Sequence, residues 1–360
     1  MRACSHPPAT PGVGEPLTSS AALPANDRTT RLLKILTGAW SWLFLLVILA
    51  IFEIWARSSY GSTFLGRVYN IQSILLAATQ ILMLALGLTF VIISSGIDLS
   101  VGFVAGLSAV TMAVTIRGLQ PTMGDGVAFA AGILLGLLIA VIPGLVNGLL
   151  VSRLNVPSFI GTLGMYGITR GVAFLIAGGA TVAIRNPVAR EFGNGRVFDG
   201  LVPIPVLVAA VLAIAAHYLL THTRFGLYVY AMGGNRNAAI RAGVDVPRMI
   251  LVIFVLSAVT AGIAGMIYTG RFSAGAADAG EPILLYAVAA IFIGGASLTG
   301  GSGTIVGTVI GSLIIAVIQF GLVFINVPPY WQFVAVGLVI IIAVLIDQSR
   351  DRLTKVTRTG

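Results

Sequence analysis

What most limits the fold of this chain is its series of long apolar segments, separated by short polar breaks. Ten can be drawn, at roughly 39–55, 71–94, 99–117, 127–152, 158–177, 202–220, 249–269, 283–299, 303–325 and 331–347. Most approach the ~20 residues that an α-helix needs to cross a bilayer core of ~30 Å, and all exceed the ~10 of a barrel strand. Only 9% of the 360 residues are charged, where a soluble domain carries roughly a quarter. A soluble fold could not cover so much apolar surface. The sequence predicts an all-α polytopic membrane protein with ten transmembrane helices.

Charge sets the orientation. Arg28, Arg31 and Lys34 precede the first segment and place the N-terminus in the cytoplasm; with ten spans the C-terminus is cytoplasmic too. On that topology thirteen Lys and Arg residues fall inside and seven outside, with Arg170 left within a span near its outer end, from which it can snorkel outwards. All four tryptophans, Trp40, Trp42, Trp55 and Trp331, sit at segment ends, as an interfacial belt requires. Glu53 is expected at the interface, since a carboxylate at the bilayer centre costs about 2.5 kcal/mol or more.

Residues 1–34, rich in Pro, Ala, Thr and Ser with no apolar run, read as a disordered cytoplasmic tail and not a signal peptide. Residues 35–347 form the transmembrane domain, and 348–360 a basic cytoplasmic tail. The net charge of +9 does not imply nucleic acid, because the arginines lie between spans and no basic stripe is interleaved with aromatics. The single cysteine, Cys4, excludes an internal disulfide and a cysteine metal site. The longest outer segment, 178–201, has room for a short interfacial helix around Asn186–Phe192 and offers a surface to something arriving from outside.

The long polar break Thr223–Arg248 reads TRFGLYVYAMGGNRNAAIRAGVDVPR, with Arg224, Arg236, Arg241 and Arg248 against the single acid Asp245. Within it, Asn235 is a good N-cap, Arg236–Ala242 favours helix, and Gly243 suits the position after the C-cap. Two turns of helix do not hold in water by propensity alone. Either this helix packs against a partner protein, or the loop is solvated and merely orients the chain.

Three glycine-rich stretches stand out. In SSGIDLSVG (Ser94–Gly102), Gly96 permits a reversal and Asp98 caps a helix starting at Leu99, or else broken helix ends here bind a polar solute. In the fifth span, Pro157 opens the helix at N1, and Gly161, Gly164, Gly167 and Gly171 make a smooth strip suited to close packing or to lining a channel. Gly303, Gly307 and Gly311 form a second small-residue zipper, within the chain or between two copies. Asp98, Ser100, Asn147, Ser158, Thr162 and Thr299 are the polar candidates for a translocation pathway.

No phosphate-binding loop is present, since the only lysines are Lys34 and Lys355 and neither follows glycine. His6, His217 and His222 cannot form a metal cluster, and no nucleophile–base pair or chain of buried carboxylates is visible. Energy for uphill transport must then come from another subunit.

Four stretches taken together, SGIDLSVG, NVPSFIGTLGMYGITRG, RFGLYVYAMGGNRNAAIRAGV and IFIGGASLTGGSGTIVGTVIG, resemble the membrane-spanning permease of bacterial ABC sugar importers of the ribose, xylose, arabinose and galactofuranose type, over about residues 35–347. The resemblance implies the ABC importer permease fold in the inner membrane and a role in moving a monosaccharide. It implies a second permease chain, identical or paralogous, besides lipid. It also implies cytoplasmic ATPase subunits that hold ATP and Mg²⁺, this chain binding no cofactor, and a periplasmic sugar-binding protein. Residues 221–249 then match the coupling loop, with Gly234, Asn235, Arg236, Ala238, Ala239 and Gly243 as the ATPase contact, the two alanines being small enough to seat in a groove. The sequence departs from the family pattern in two places. Arg236 and Asn237 stand where acids are usual, and Ser95 replaces a glycine, a change expected to matter little. The alternatives are a stand-alone secondary transporter or channel for a small polar solute, and a membrane scaffold or receptor.

Overall fold

The computed structural model describes residues 27–328, 330–339, 341 and 342. The helices are α1 (Asp27–Tyr60), α2 (Val68–Ile93), α3 (Val101–Ser152), α4 (Ser158–Ala177), α5 (Pro187–Asn194), α6 (Ile204–His222), α7 (Arg224–Gly234), α8 (Arg236–Arg241), α9 (Val246–Phe272), α10 (Glu281–Ile293), α11 (Ile305–Phe324) and α12 (Tyr330–Val339). Four two-residue strands pair as β1 (Val182–Ala183) with β4 (Ala274–Gly275) and β2 (Arg196–Val197) with β3 (Val202–Pro203). α1 begins at Asp27, inside the stretch expected to be disordered. The remainder of that tail, residues 1–26, and the C-terminal tail 348–360 lie outside the described residues.

Seven helices are long and apolar enough to cross a membrane, and α10 and α12 are shorter apolar helices. The 52-residue α3 is two spans rather than one, because Gly124, at φ 77° and ψ 173°, breaks it. Its halves run antiparallel: Gly132 lies on the Met112 carbonyl and Gly136 on that of Ser108. Counting this hairpin as two and adding the shorter α10 and α12 gives ten apolar helical segments among the described residues, at the positions of the ten expected spans.

α2 is the centre, with 83% of its most apolar stretch buried, whereas α6, at 17%, is peripheral. α9 lies against both halves of the α3 hairpin. Gly265 sits on Ala105, Gly262 on Ala140, Gly144 on Ala258 and Gly148 on Leu251. Among lipid tails apolar side chains gain nothing by pairing, so close backbone approach through small residues must hold these helices together. The late zipper closes inside this chain and not between copies: a Cβ on Gly307 or Gly311 would strike the carbonyls of Gly294 and Ala290. The α4 strip is the opposite case. Gly164, Gly167 and Gly171 have nothing near them, so the packing expected there has no partner among the described residues.

The segment between α9 and α10 is not the simple outer loop that the sequence suggested. After Ser273, held at φ 50°, the chain pairs with β1 and then runs along the first half of α3. Gly275 meets Ala109, Ala277 meets Gly106, and Gly280 meets Gly102. Irregular backbone at membrane depth is tolerated only against protein or water. As a result α10 has only 13 residues, a rise of about 20 Å against the ~30 Å core.

Two local polar features stand out. Glu53 is tied down at the end of α1 by Arg57 (2.7 Å) and by the backbone N–H groups of Phe64 and Leu65 (2.9 Å each). The outer helix α5 is capped by Asn186, whose Oδ1 accepts from the Ala189 N–H at 2.9 Å.

The glycines give a direct check. Gly265→Ala, which drives a Cβ into the Ala105 carbonyl, should destabilise the detergent-solubilised protein by about 1–3 kcal/mol, seen as a lower melting temperature. Gly164→Ala, with open space around it, should leave that temperature unchanged or raise it.

Candidate functional site

The polar loop Thr223–Arg248 contains two helices, α7 and α8, where its sequence suggested one. α7 is amphipathic, burying Gly226, Val229 and Met232. Thr223 caps it, and Gly226 lets α6 and α7 turn sharply, since a side chain there would strike the Leu220 carbonyl. α8 matches its expected chemistry closely. Asn235 Oδ1 accepts from the Ala238 N–H at 2.9 Å. At the other end Gly243, at φ 84°, donates to the Ile240 carbonyl (3.0 Å) and Val244 to that of Ala239 (3.1 Å), the paired bonds of a Schellman cap.

On α8, Asn235, Arg236, Asn237, Ala238 and Arg241 are exposed, as are the flanking Gly234 and Gly243. Ala239 is not: only 4% exposed, it packs into the core of its own chain. Its small size therefore serves the docking of α8 and not an outside contact, which corrects the sequence expectation. Two exposed apolar side chains in this loop, Leu227 (65%) and Ile240 (52%), were not singled out from sequence. An apolar residue between arginines gives no signal until its face of the helix is known.

α7 joins the loop to the rest of the inner surface. Gly233 rests against the Ile93 carbonyl at the end of α2, and that carbonyl also accepts from the Gly301 N–H at 2.8 Å. Tyr230 donates its hydroxyl to the Gly303 carbonyl (2.7 Å). Ser95, at φ 63°, places its hydroxyl 3.1 Å from the Gly233 carbonyl and 2.8 Å from that of Thr299. The serine expected to matter little thus bridges α7 to the connection between α10 and α11. One node links the loop between α6 and α9, the α2–α3 turn and the α10–α11 connection.

The pathway candidates fall in three places. Asp98, Ser100 and Asn147 form a buried cluster: Asp98 accepts from the Ser100 backbone (3.0 Å) and hydroxyl (2.6 Å) and from Ser257 on α9 (3.1 Å), while Asn147 donates to Ser100 (2.9 Å). Burial pushes the Asp98 carboxyl up and these hydrogen bonds pull it down. Because α3 starts at Val101, Asp98 forms a turn with Ser100 rather than the helix cap expected at Leu99. Ser158 accepts from the Ile97 N–H at 3.1 Å, and the buried Thr162 donates to the Ser158 carbonyl at 2.8 Å, fixing the start of α4 to the same turn. Pro157 lies at the N-cap of α4, one residue before the expected N1. Thr299 is exposed, in the inner node. Among the described residues no group of His, Cys, Asp or Glu could hold a metal ion.

Comparison with known proteins gives a consistent picture. Residues 70–344 match the family model described as the permease component of the branched-chain amino acid transport system. The chain is 36% identical to the ribose import permease protein of Escherichia coli (strain K12), over 88% of this chain and 97% of that one. It is 36% identical to the D-allose transport system permease protein of the same strain, over 84% and 89% of the two chains. With the xylose transport system permease protein of Haemophilus influenzae (strain ATCC 51907 / DSM 11121 / KW20 / Rd) it is 33% identical over 85% and 94%. No solved structure matches.

The node is testable with the smallest possible change. Gly233→Ala, which pushes α7 off the Ile93 carbonyl, should speed amide hydrogen exchange in α7 and α8 by about tenfold. Gly234→Ala, with nothing near, should leave exchange unchanged.

Proposed function

The chain belongs to this permease family, and on that premise we propose that it is the membrane-spanning permease subunit of an ATP-driven importer of a monosaccharide. It is a multi-pass protein of the bacterial inner membrane. The sugar class follows from the ribose, allose and xylose permeases to which it is similar over most of their lengths.

The observation that carries the reading is α8 itself, a capped and exposed helix fixed by α7 to two other inner connections. A separate ATPase subunit grips it through Ala238, Arg236, Arg241 and the apolar Ile240. Leu227 on α7 extends the same patch. ATP and Mg²⁺ belong to that partner, in keeping with the lack of a glycine-flanked lysine. When ATP draws two ATPase subunits together, each α8 moves, and through Gly233, Ser95 and Tyr230 the ends of α2, α10 and α11 move with it. Such a linkage shifts the balance between inward-open and outward-open arrangements by differential contact alone. A second permease chain, identical or paralogous, completes the pathway. A periplasmic binding protein docks on the outer face, where α5 and the two strand pairs lie, and supplies selectivity.

The test is Ala238→Arg. Ala238 faces outward, so the variant should reach the membrane at the normal level, yet lose ATPase co-purification and sugar uptake by about tenfold or more. Unchanged uptake and co-purification would remove α8 as the contact.

A further inference from the structure

Four polar side chains lie at membrane depth on one side of the molecule, outside the buried Asp98 cluster. Tyr166 is near the midpoint of α4 and Arg170 is one turn beyond it. Glu281 opens α10 with its Cα beside Gly102, and Asp278 is one turn earlier, its carbonyl accepting from the Glu281 N–H at 3.1 Å. The Tyr166 hydroxyl donates to Glu281 Oε1 at 2.9 Å. The Arg170 guanidinium lies over the Phe103 ring at 5.3 Å, and that ring stands edge-on to Tyr166 at 4.7 Å. Tyr268 packs on Ala276 and Ala279, flanking Asp278.

Arg170 and Asp278 are exposed and Glu281 is half-buried. The ion pairs among the described residues are Arg57–Glu53 and Arg248–Asp245, so neither carboxylate is neutralised by Arg170. Charges of both signs, exposed at this depth, cannot face lipid. The irregular backbone 273–280 alongside them has the same requirement, since such chain at membrane depth must meet protein or water.

Resting on the sugar-permease reading, we propose that this surface, and not the buried Asp98 cluster, is where the sugar slides through the membrane. The chemistry suits a neutral polyhydroxylated ligand. Each carboxylate accepts from neighbouring hydroxyls, the guanidinium donates to ring and hydroxyl oxygens, and the tyrosine rings offer flat faces to C–H groups. Two carboxylates against one guanidinium leave a single net negative charge, so the surface wets a neutral sugar without holding it tightly, as a pathway fed by a binding protein requires.

The experiment uses the full transporter in membranes, in a Cys4→Ala background that removes the only native thiol. Asp278→Cys should react with a charged, water-soluble thiol reagent about tenfold faster than Ile214→Cys on the exposed face of the peripheral α6, and added ribose, xylose or allose should slow that reaction. Glu281→Gln should cut uptake of the same sugars by about tenfold while ATPase co-purification stays normal. An unreactive Asp278→Cys, or normal uptake by Glu281→Gln, overturns the proposal and indicates a face sealed against the second permease chain. Failure of the permease reading looks different: the unmodified transporter would then show no ATP-dependent uptake of any of the three sugars.

Discussion

Everything in this fold depends on helices approaching one another at backbone distance. Lipid is as apolar as leucine, so the burial that drives soluble proteins together is missing here. Contact through small residues takes its place. α9 reaches Ala105 through Gly265 and Ala140 through Gly262, and it receives Gly144 and Gly148 from the other half of the α3 hairpin. The same device closes α10 on α11 and seats α7 on the end of α2. A methyl group at several of these points would strike a carbonyl, so the contacts are close to all-or-none. Such contacts suit a protein that must move as rigid pieces, since interfaces packed this closely do not deform continuously.

That rigidity gives the inner surface its meaning. α7 is no passive linker: with Val229 fully buried and Met232 nearly so, it fastens α8 to the body. Ser95, Gly233, Tyr230 and Gly301 then tie the loop to the end of α2 and to the α10–α11 connection. The buried Asp98–Ser100–Asn147–Ser257 cluster lies just beyond this node and pins the start of α3 to α9. With every member at most 2% exposed, it reads as a structural latch in this conformation.

Local chemistry was legible where a residue acts on its own neighbours. Asn235, Gly243 and Asn186 announce their caps because cap hydrogen bonds span only a few residues. Roles that depend on which face of a helix meets which neighbour were not legible. Ala238 and Ala239 are indistinguishable in sequence, yet one faces out and the other in. The two glycine zippers look alike, but Gly307 and Gly311 are filled from within the chain while Gly164, Gly167 and Gly171 stand open. Nor does the sequence announce that Arg170 lies over Phe103.

By itself the sequence determined that this is an α-helical membrane protein, and where the loop between α6 and α9 folds into a capped helix. Hydropathy, charge bias and capping are properties of short windows, and a chain carries them wherever it goes. Only the tertiary structure decided that Ser95 is a bridge, that the chain from Ser273 to Gly280 runs along α3, and that Glu281 meets Tyr166 across 115 residues of sequence. Those pairings depend on how helices of similar composition rotate and tilt against each other, and backbone-to-backbone contact through glycine leaves no distinctive side chain to reveal its partner.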